Sequence, residues 1–155
     1  MKKFKKVAVG GTFDHFHIGH EYLIKTALTI GTQVLIGLTT DKLLQAHPKK
    51  DTMQSYFDRK QAITCFIKNQ CATQFSRIVP LDDFFGSSIR DPEIDALVVS
   101  TETQHRANLV NQIRLKKGFK PLKLIVIDLV LAKDKKPISA TRIRNNEIDR
   151  FGNIL

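Results

Sequence analysis

KVAVGGTFDHFHIGH, Lys6 to His20, is an apolar run that ends on two glycines and gives way to a helical pattern carrying two histidines three residues apart. A short β-branched strand that breaks at glycine into a helix is the first half of a βαβ unit. The same pattern recurs down the chain. Gln33 to Leu38, Ala96 to Val99 and Leu122 to Ile127 read as further strands, and Phe75 to Leu81 as a weaker fifth. Helical spacing fills Gly19 to Ile30, Tyr56 to Asn69 and Glu102 to Lys117. Nearly continuous apolar strands alternating with helices predict an α/β fold: a doubly wound, Rossmann-like, five-stranded parallel sheet with helices on both faces. The 155 residues suit a single domain.

Hydrophobic residues make up 42% and charged ones 26%, the balance of a globular protein rather than a disordered one. No apolar run approaches the roughly 20 residues that span a bilayer, and the N-terminus leads into a motif rather than a cleavage site, so a cytoplasmic protein is expected. Cys65 and Cys71 have no CxxC partner or neighbouring histidine and read as reduced thiols. His47-Pro48-Lys49-Lys50 reads as a solvated, mobile loop. A formal charge of +10 attracts polyanions, whether nucleotides, phosphorylated metabolites or nucleic acid, and does not choose among them.

In doubly wound sheets ligands sit beyond the carboxyl ends of the strands. That rule selects Gly10 to Gly19, Thr39 to Gln54, Asp82 to Pro92, Ser100 to Arg106 and Asp128 to Thr141. In the first segment, Gly10 and Gly11 let a ligand approach the backbone, and Gly19 does the same at a helix start whose N–H groups and dipole favour phosphate. His17 and His20 would add two imidazole donors. One packed and one surface histidine is the structural alternative, and a metal site lacks further ligands. In Ile138-Ser139-Ala140-Thr141-Arg142-Ile143-Arg144, Ser139 is a candidate N-cap, which sets hydroxyls, free N–H groups and Arg142 at a second helix start.

GTFDHFHIGH resembles the HxGH signature, and ISATRIR the ISSTxIR-like signature, of the adenylyl- and cytidylyltransferase superfamily. Asp83, Phe85 and Gly86, Asp91-Pro92-Glu93, Val98 to Thr103, Asn111 with Arg114, and Val130-Leu131-Ala132 resemble the archaeal and eukaryotic type of phosphopantetheine adenylyltransferase. Phe84 and Ser87 stand where the resemblance leads one to expect proline, Ala140 where it leads to serine, and Asn146 where it leads to glycine.

The resemblance implies transfer of AMP from ATP to 4′-phosphopantetheine, with Mg²⁺ accompanying ATP and held by phosphates and water rather than by protein ligands. His17 and His20 would be the catalytic donors. Gly11, Thr12, Phe13, Gly19, Ser100, Glu102, Ser139, Ala140, Thr141 and Arg142 would contact ATP, with the last group gripping the β- and γ-phosphates. Thr12 and Lys42 would meet the acceptor phosphate, although Lys42 reads equally as a solvated lysine. A nicotinamide mononucleotide adenylyltransferase or a glycerol-3-phosphate cytidylyltransferase is the alternative within the superfamily. Dispersed basic residues and 8% aromatic content argue against a nucleic-acid-binding module, a sensor that binds nucleotide without turnover is a third reading, and no membrane partner is expected. The sequence leaves the oligomeric state open.

Overall fold

The computed structural model describes residues 2–47 and 53–155; Pro48, Lys49 and Lys50 of the basic loop lie outside them. Its strands are β1 (Phe4–Gly11), β2 (Gly31–Thr39), β3 (Ser76–Leu81), β4 (Ala96–Ser100) and β5 (Lys123–Ile127). They form one sheet in the order β3-β2-β1-β4-β5, parallel throughout. The helices among the described residues are α1 (Ile18–Ile30), α2 (Asp41–Ala46), α3 (Tyr56–Asn69), α4 (Gln104–Lys116) and α5 (Ala140–Arg144). None is long and apolar enough to cross a membrane.

Side chains alternate along each strand, so Val7 and Val9 face α1 and α3 while Ala8 faces α4. In β4, Ala96 and Val98 join the first face, and Leu97 and Val99 the second. Ile24 and Ala27 of α1 and Ile63, Phe66 and Ile67 of α3 close one face; Ala107 and Val110 of α4 close the other. Helices on both faces are the reason that these strands are apolar without a polar phase. A third cluster, Ala132, Ile138 and Ile148 with Ile18 and Ile143, packs the C-terminal segment against the start of α1.

Differences from the expected elements have local causes. β3 is an edge strand paired only with β2 and carries Pro80, which dilutes its pattern. α2, six residues long, is too short to show periodicity; Thr40 caps it by accepting from the Leu43 N–H at 3.1 Å. α4 begins at Gln104 rather than Glu102, because the Thr103 N–H first closes a turn onto the Ser100 carbonyl.

Several residues that carry the subfamily resemblance turn out to be framework. Asn111 receives the Leu122 N–H at 2.7 Å and donates to the Leu122 carbonyl at 3.0 Å. Arg114, fully buried, donates to the carbonyls of Lys120, Ser88 and Asp91 at 2.8–2.9 Å and of Ile94 and Pro92 at 3.3 and 3.4 Å. Asn146 has φ 57°, the left-handed residue after α5, where asparagine is the next choice after glycine.

The chain runs from β1 outward through β2 to β3 and then returns to β4 on the other side of β1. The order reverses between β1 and β4, which puts the ligand crevice beyond Gly11 and Ser100.

Candidate active site

After Gly11 the backbone passes twice through the left-handed region, at Phe13 (φ 52°) and His15 (φ 44°). Such non-glycine residues cost about 1–2 kcal/mol each and persist only where neighbours fix them. Arg59, fully buried on α3, supplies that constraint. It donates to the carbonyls of Thr12 (3.0 Å), Thr39 (2.8 Å) and Gln54 (3.0 Å) and pairs with Asp41 (3.0 Å). One guanidinium thus ties the ends of β1 and β2 to the starts of α2 and α3. Asp14, 3% exposed, accepts from the Gln54 N–H at 2.8 Å and pairs with Arg144 of α5.

His17 is the N-cap of α1, and its Nδ1 accepts from the Gly19 N–H at 3.1 Å. His20 reciprocates, its Nδ1 accepting from the His17 N–H at 3.3 Å, and the two rings stack with centroids 3.7 Å apart. Acceptance at Nδ1 leaves each proton on Nε2, so both rings are donors at their outer nitrogen. Burial lowers the His17 pKa to about 4, with the nearby Arg150 charge adding to the effect. Burial first, and then His17, hold the His20 pKa well below the ordinary imidazole value. Two neutral Nε2–H donors therefore stand side by side at neutral pH.

The expected role of Gly19 needs correction. A Cβ there would lie 2.9 Å from His17 Cε1, and its N–H is already taken by His17, so this glycine makes room for the imidazole rather than for a ligand. The Ile18 N–H is likewise taken, by the Arg150 carbonyl at 3.1 Å. With the Ile18 and Gly19 N–H groups engaged, the histidine side chains become the principal candidate donors of this helix start.

Ser139 caps α5 as expected, accepting from the Arg142 N–H at 3.3 Å, and Ala140 opens the helix. Arg142, however, donates to Asp134 (2.5 Å), Glu147 (3.0 Å) and the Pro137 carbonyl (3.0 Å). These bonds hold it to the loop before α5, and a phosphate contact by Arg142 would have to replace them. The arginine that meets the first motif is Arg144, which pairs with buried Asp14 and donates to Thr141 Oγ1 at 3.1 Å. The signal for it is helical: from the cap at Ser139, Thr141 and Arg144 share a face, while Arg142 lies about 100° away from Thr141.

A pocket of about 460 Å³ opens on the α4 side of the sheet. Leu35, Gly37, Val79, Leu97 and Val99 line it from the strands, Ala107 and Val110 from α4, and Gly10, Gly11 and Thr12 at the end of β1. It is thus apolar along most of its length and ends at the loop that leads to the two histidines. Glu102 lines this pocket. Ser100 stands half-buried at the end of β4, its hydroxyl 3.5 Å from that of Thr103. Lys42 is exposed in the first turn of α2 and is not among the pocket's lining residues.

A reversed-order parallel sheet, with paired imidazole donors after its first strand and a capped basic helix after its last, defines a nucleotidyltransferase of the HxGH type. The sequence profile of the cytidylyltransferase-like family matches residues 8–146. The phosphopantetheine adenylyltransferase of Methanopyrus kandleri is 42% identical over 149 residues, covering 96% of this chain and 94% of that protein. That of Methanothermobacter thermautotrophicus is 40% identical over 154 residues, covering 99% and 92%. A crystal structure of a protein of unknown function from Archaeoglobus fulgidus superposes with a TM-score of 0.71 at 27% identity, covering 86% of this chain and 99% of that one. A putative nicotinate-nucleotide adenylyltransferase from Vibrio parahaemolyticus shares the fold at 16% identity, with a TM-score of 0.56 over 92% of this chain and 80% of that one. The chain belongs to the cytidylyltransferase-like family and, within it, to the phosphopantetheine adenylyltransferases.

Proposed function

We propose that the protein transfers AMP from ATP to 4′-phosphopantetheine, giving dephospho-coenzyme A and pyrophosphate. The observation that carries this reading is the end of β1, where a pocket of about 460 Å³ with an apolar sheet floor, and with Glu102 and Arg106 also in its lining, reaches Gly11 and Thr12 at the head of the loop that leads to two neutral imidazole donors. An acceptor with a phosphate at one end and a long uncharged arm matches that junction: phosphate toward Thr12, arm along the sheet.

In the reaction an acceptor phosphate oxygen attacks the α-phosphorus, the bond from that phosphorus to the bridging oxygen breaks, and pyrophosphate leaves with the electron pair. The attacking oxygen is already anionic, so no general base is needed. Buried Asp14 is correspondingly engaged with Arg144 and Gln54 rather than poised for one. Catalysis then consists of alignment and charge stabilisation. His17 and His20 donate through Nε2 to oxygens of the transferring and leaving phosphates. Thr12 and the backbone at Phe13 hold the acceptor phosphate, and Lys42, at the same edge of the sheet, has the reach to meet it. Ser139, Thr141 and Arg144 face the β- and γ-phosphates. Among the described residues no group of three or more His, Cys, Asp or Glu is placed to hold a metal ion. Mg²⁺ would arrive as part of the MgATP substrate, coordinated by phosphate and water.

Pyrophosphate release measured with ATP, Mg²⁺ and a panel of acceptors tests the assignment. Turnover is expected with 4′-phosphopantetheine; turnover only with nicotinamide mononucleotide, or only with CTP and glycerol 3-phosphate, would replace it. The reverse reaction tests the arginines. Arg144→Lys keeps the charge and loses the planar fork, so pyrophosphate KM should rise about 10- to 100-fold. Arg142→Lys should leave pyrophosphate KM near that of the parent and lower the urea midpoint instead. The opposite pattern would return the phosphate contact to Arg142.

A further inference from the structure

Phe84 stands apart from the cores around it. Its neighbour Phe85 packs into the cluster beneath α4, whereas Phe84 is 37% exposed and lines the pocket. Two side chains from separate elements brace its ring. Arg106 of α4 sits over it with Cζ 4.7 Å from the centroid, and His47, which ends α2, meets it edge-on at 5.2 Å and 62°. All three line the pocket. The turn that presents Phe84 is itself fixed. Asp83 accepts from the N–H groups of Phe85 (2.9 Å) and Gly86 (2.8 Å), and Gly86 occupies φ 53° with a Cβ position only 2.2 Å from Leu81.

The pocket therefore has two unlike sides. Its floor is sheet, with Leu97 buried and Gly37 without a side chain; its rim is one solvent-facing aromatic ring spanning from α2 to α4. A ring held between a guanidinium and an imidazole is oriented rather than free. Proline, which the family resemblance leads one to expect here, has a saturated ring with no aromatic face for these contacts.

We propose that Phe84 is a specificity-determining residue: its braced ring roofs the distal arm of the acceptor and limits the size of the group that the arm can carry at its thiol end. This rests on the reading of the pocket as the acceptor site. Burial of a large apolar face against the ligand on binding sets the size of the effect, about tenfold in affinity when the ring is removed.

The test is steady-state kinetics of the full chain with 4′-phosphopantetheine and with its S-benzyl thioether as paired acceptors. In Phe84→Ala the KM for 4′-phosphopantetheine should rise about tenfold, while ATP KM and saturating kcat stay within about twofold. The preference of the parent for the free thiol over the thioether should narrow at least severalfold. Phe84→Leu, which keeps apolar bulk without the brace, should fall between the two and serves as the measurement if the alanine variant does not fold. Acceptor KM and thioether discrimination equal to those of the parent, in either folded variant, would overturn the proposal and leave the acceptor assignment standing. A parent chain that forms no pyrophosphate with 4′-phosphopantetheine would remove the acceptor assignment and the proposal together.

Discussion

His20→Asn should lower kcat by about 10²- to 10³-fold, equivalent to about 2.7–4 kcal/mol of transition-state stabilisation, with a much smaller change in ATP affinity. Asparagine is the informative replacement because its carbonyl can still accept from the His17 N–H, as His20 Nδ1 does at 3.3 Å, while nothing remains in place of the Nε2 donor. The cap of α1 is thereby kept and the donor aimed at developing charge is lost. Donors of that kind act mostly in the transition state, which is why the loss belongs in kcat. A variant that turns over normally but binds ATP poorly would make His20 a binding group only.

The same pair of rings governs behaviour in acid. The His17 pKa is lowered to about 4 against 6.5 for a free imidazole, so the unfolded chain takes up the proton first as pH falls. Stability from this group is complete above pH 6.5 and is lost progressively between about 6.5 and 4, to a total of about 3 kcal/mol. The imidazole carbon shifts of His17 and His20 should therefore stay flat from pH 8 to 5, and a midpoint near 6.5 for either would contradict a neutral donor pair.

The fold was legible from Lys6 to His20 because strand, glycine break and helix follow there without interruption, and because both faces of each central strand are buried. β3 was faint for the complementary reason, since an edge strand bearing Pro80 has little to keep it apolar. Site residues were legible where local spacing decides geometry, as for His17 and His20, which share one helical turn and cap one another. They were not legible where the partner is far away in sequence. Asp14 and Arg144 are 130 residues apart and meet only because a small core of Ala132, Ile138 and Ile148 folds the C-terminal segment onto α1. The pocket's rim has the same character, with His47, Phe84 and Arg106 drawn from three separate segments.

Arg114 carries the second large expectation, because charge and burial make an arginine ambiguous until its partners are known. It lies in the stretch that resembles the phosphopantetheine enzymes, and a buried cation near a nucleotide site invites a phosphate role. Its guanidinium instead faces five backbone carbonyls, those of Ser88, Asp91, Pro92, Ile94 and Lys120, and is not among the residues that line the pocket. Desolvation lowers its pKa, offset by the Asp91 charge, yet at neutral pH it stays protonated and donates to all five carbonyls. Arg114→Met preserves much of the apolar stem and strands those carbonyls. Each buried acceptor left without a donor costs about 1–3 kcal/mol, and relaxation will rescue some of the five, so a loss of about 3–5 kcal/mol is expected. Urea denaturation should show this as a lower midpoint at unchanged slope. Because Ser88, one of the residues that Arg114 braces, lines the pocket, acceptor KM should rise somewhat, while kcat per folded molecule at saturating acceptor should remain close to that of the parent. Arg114→Lys should recover little of the loss, because one ammonium cannot span carbonyls arranged for a planar fork. A variant with parental stability and collapsed turnover would reverse the assignment and place Arg114 in the catalytic machinery.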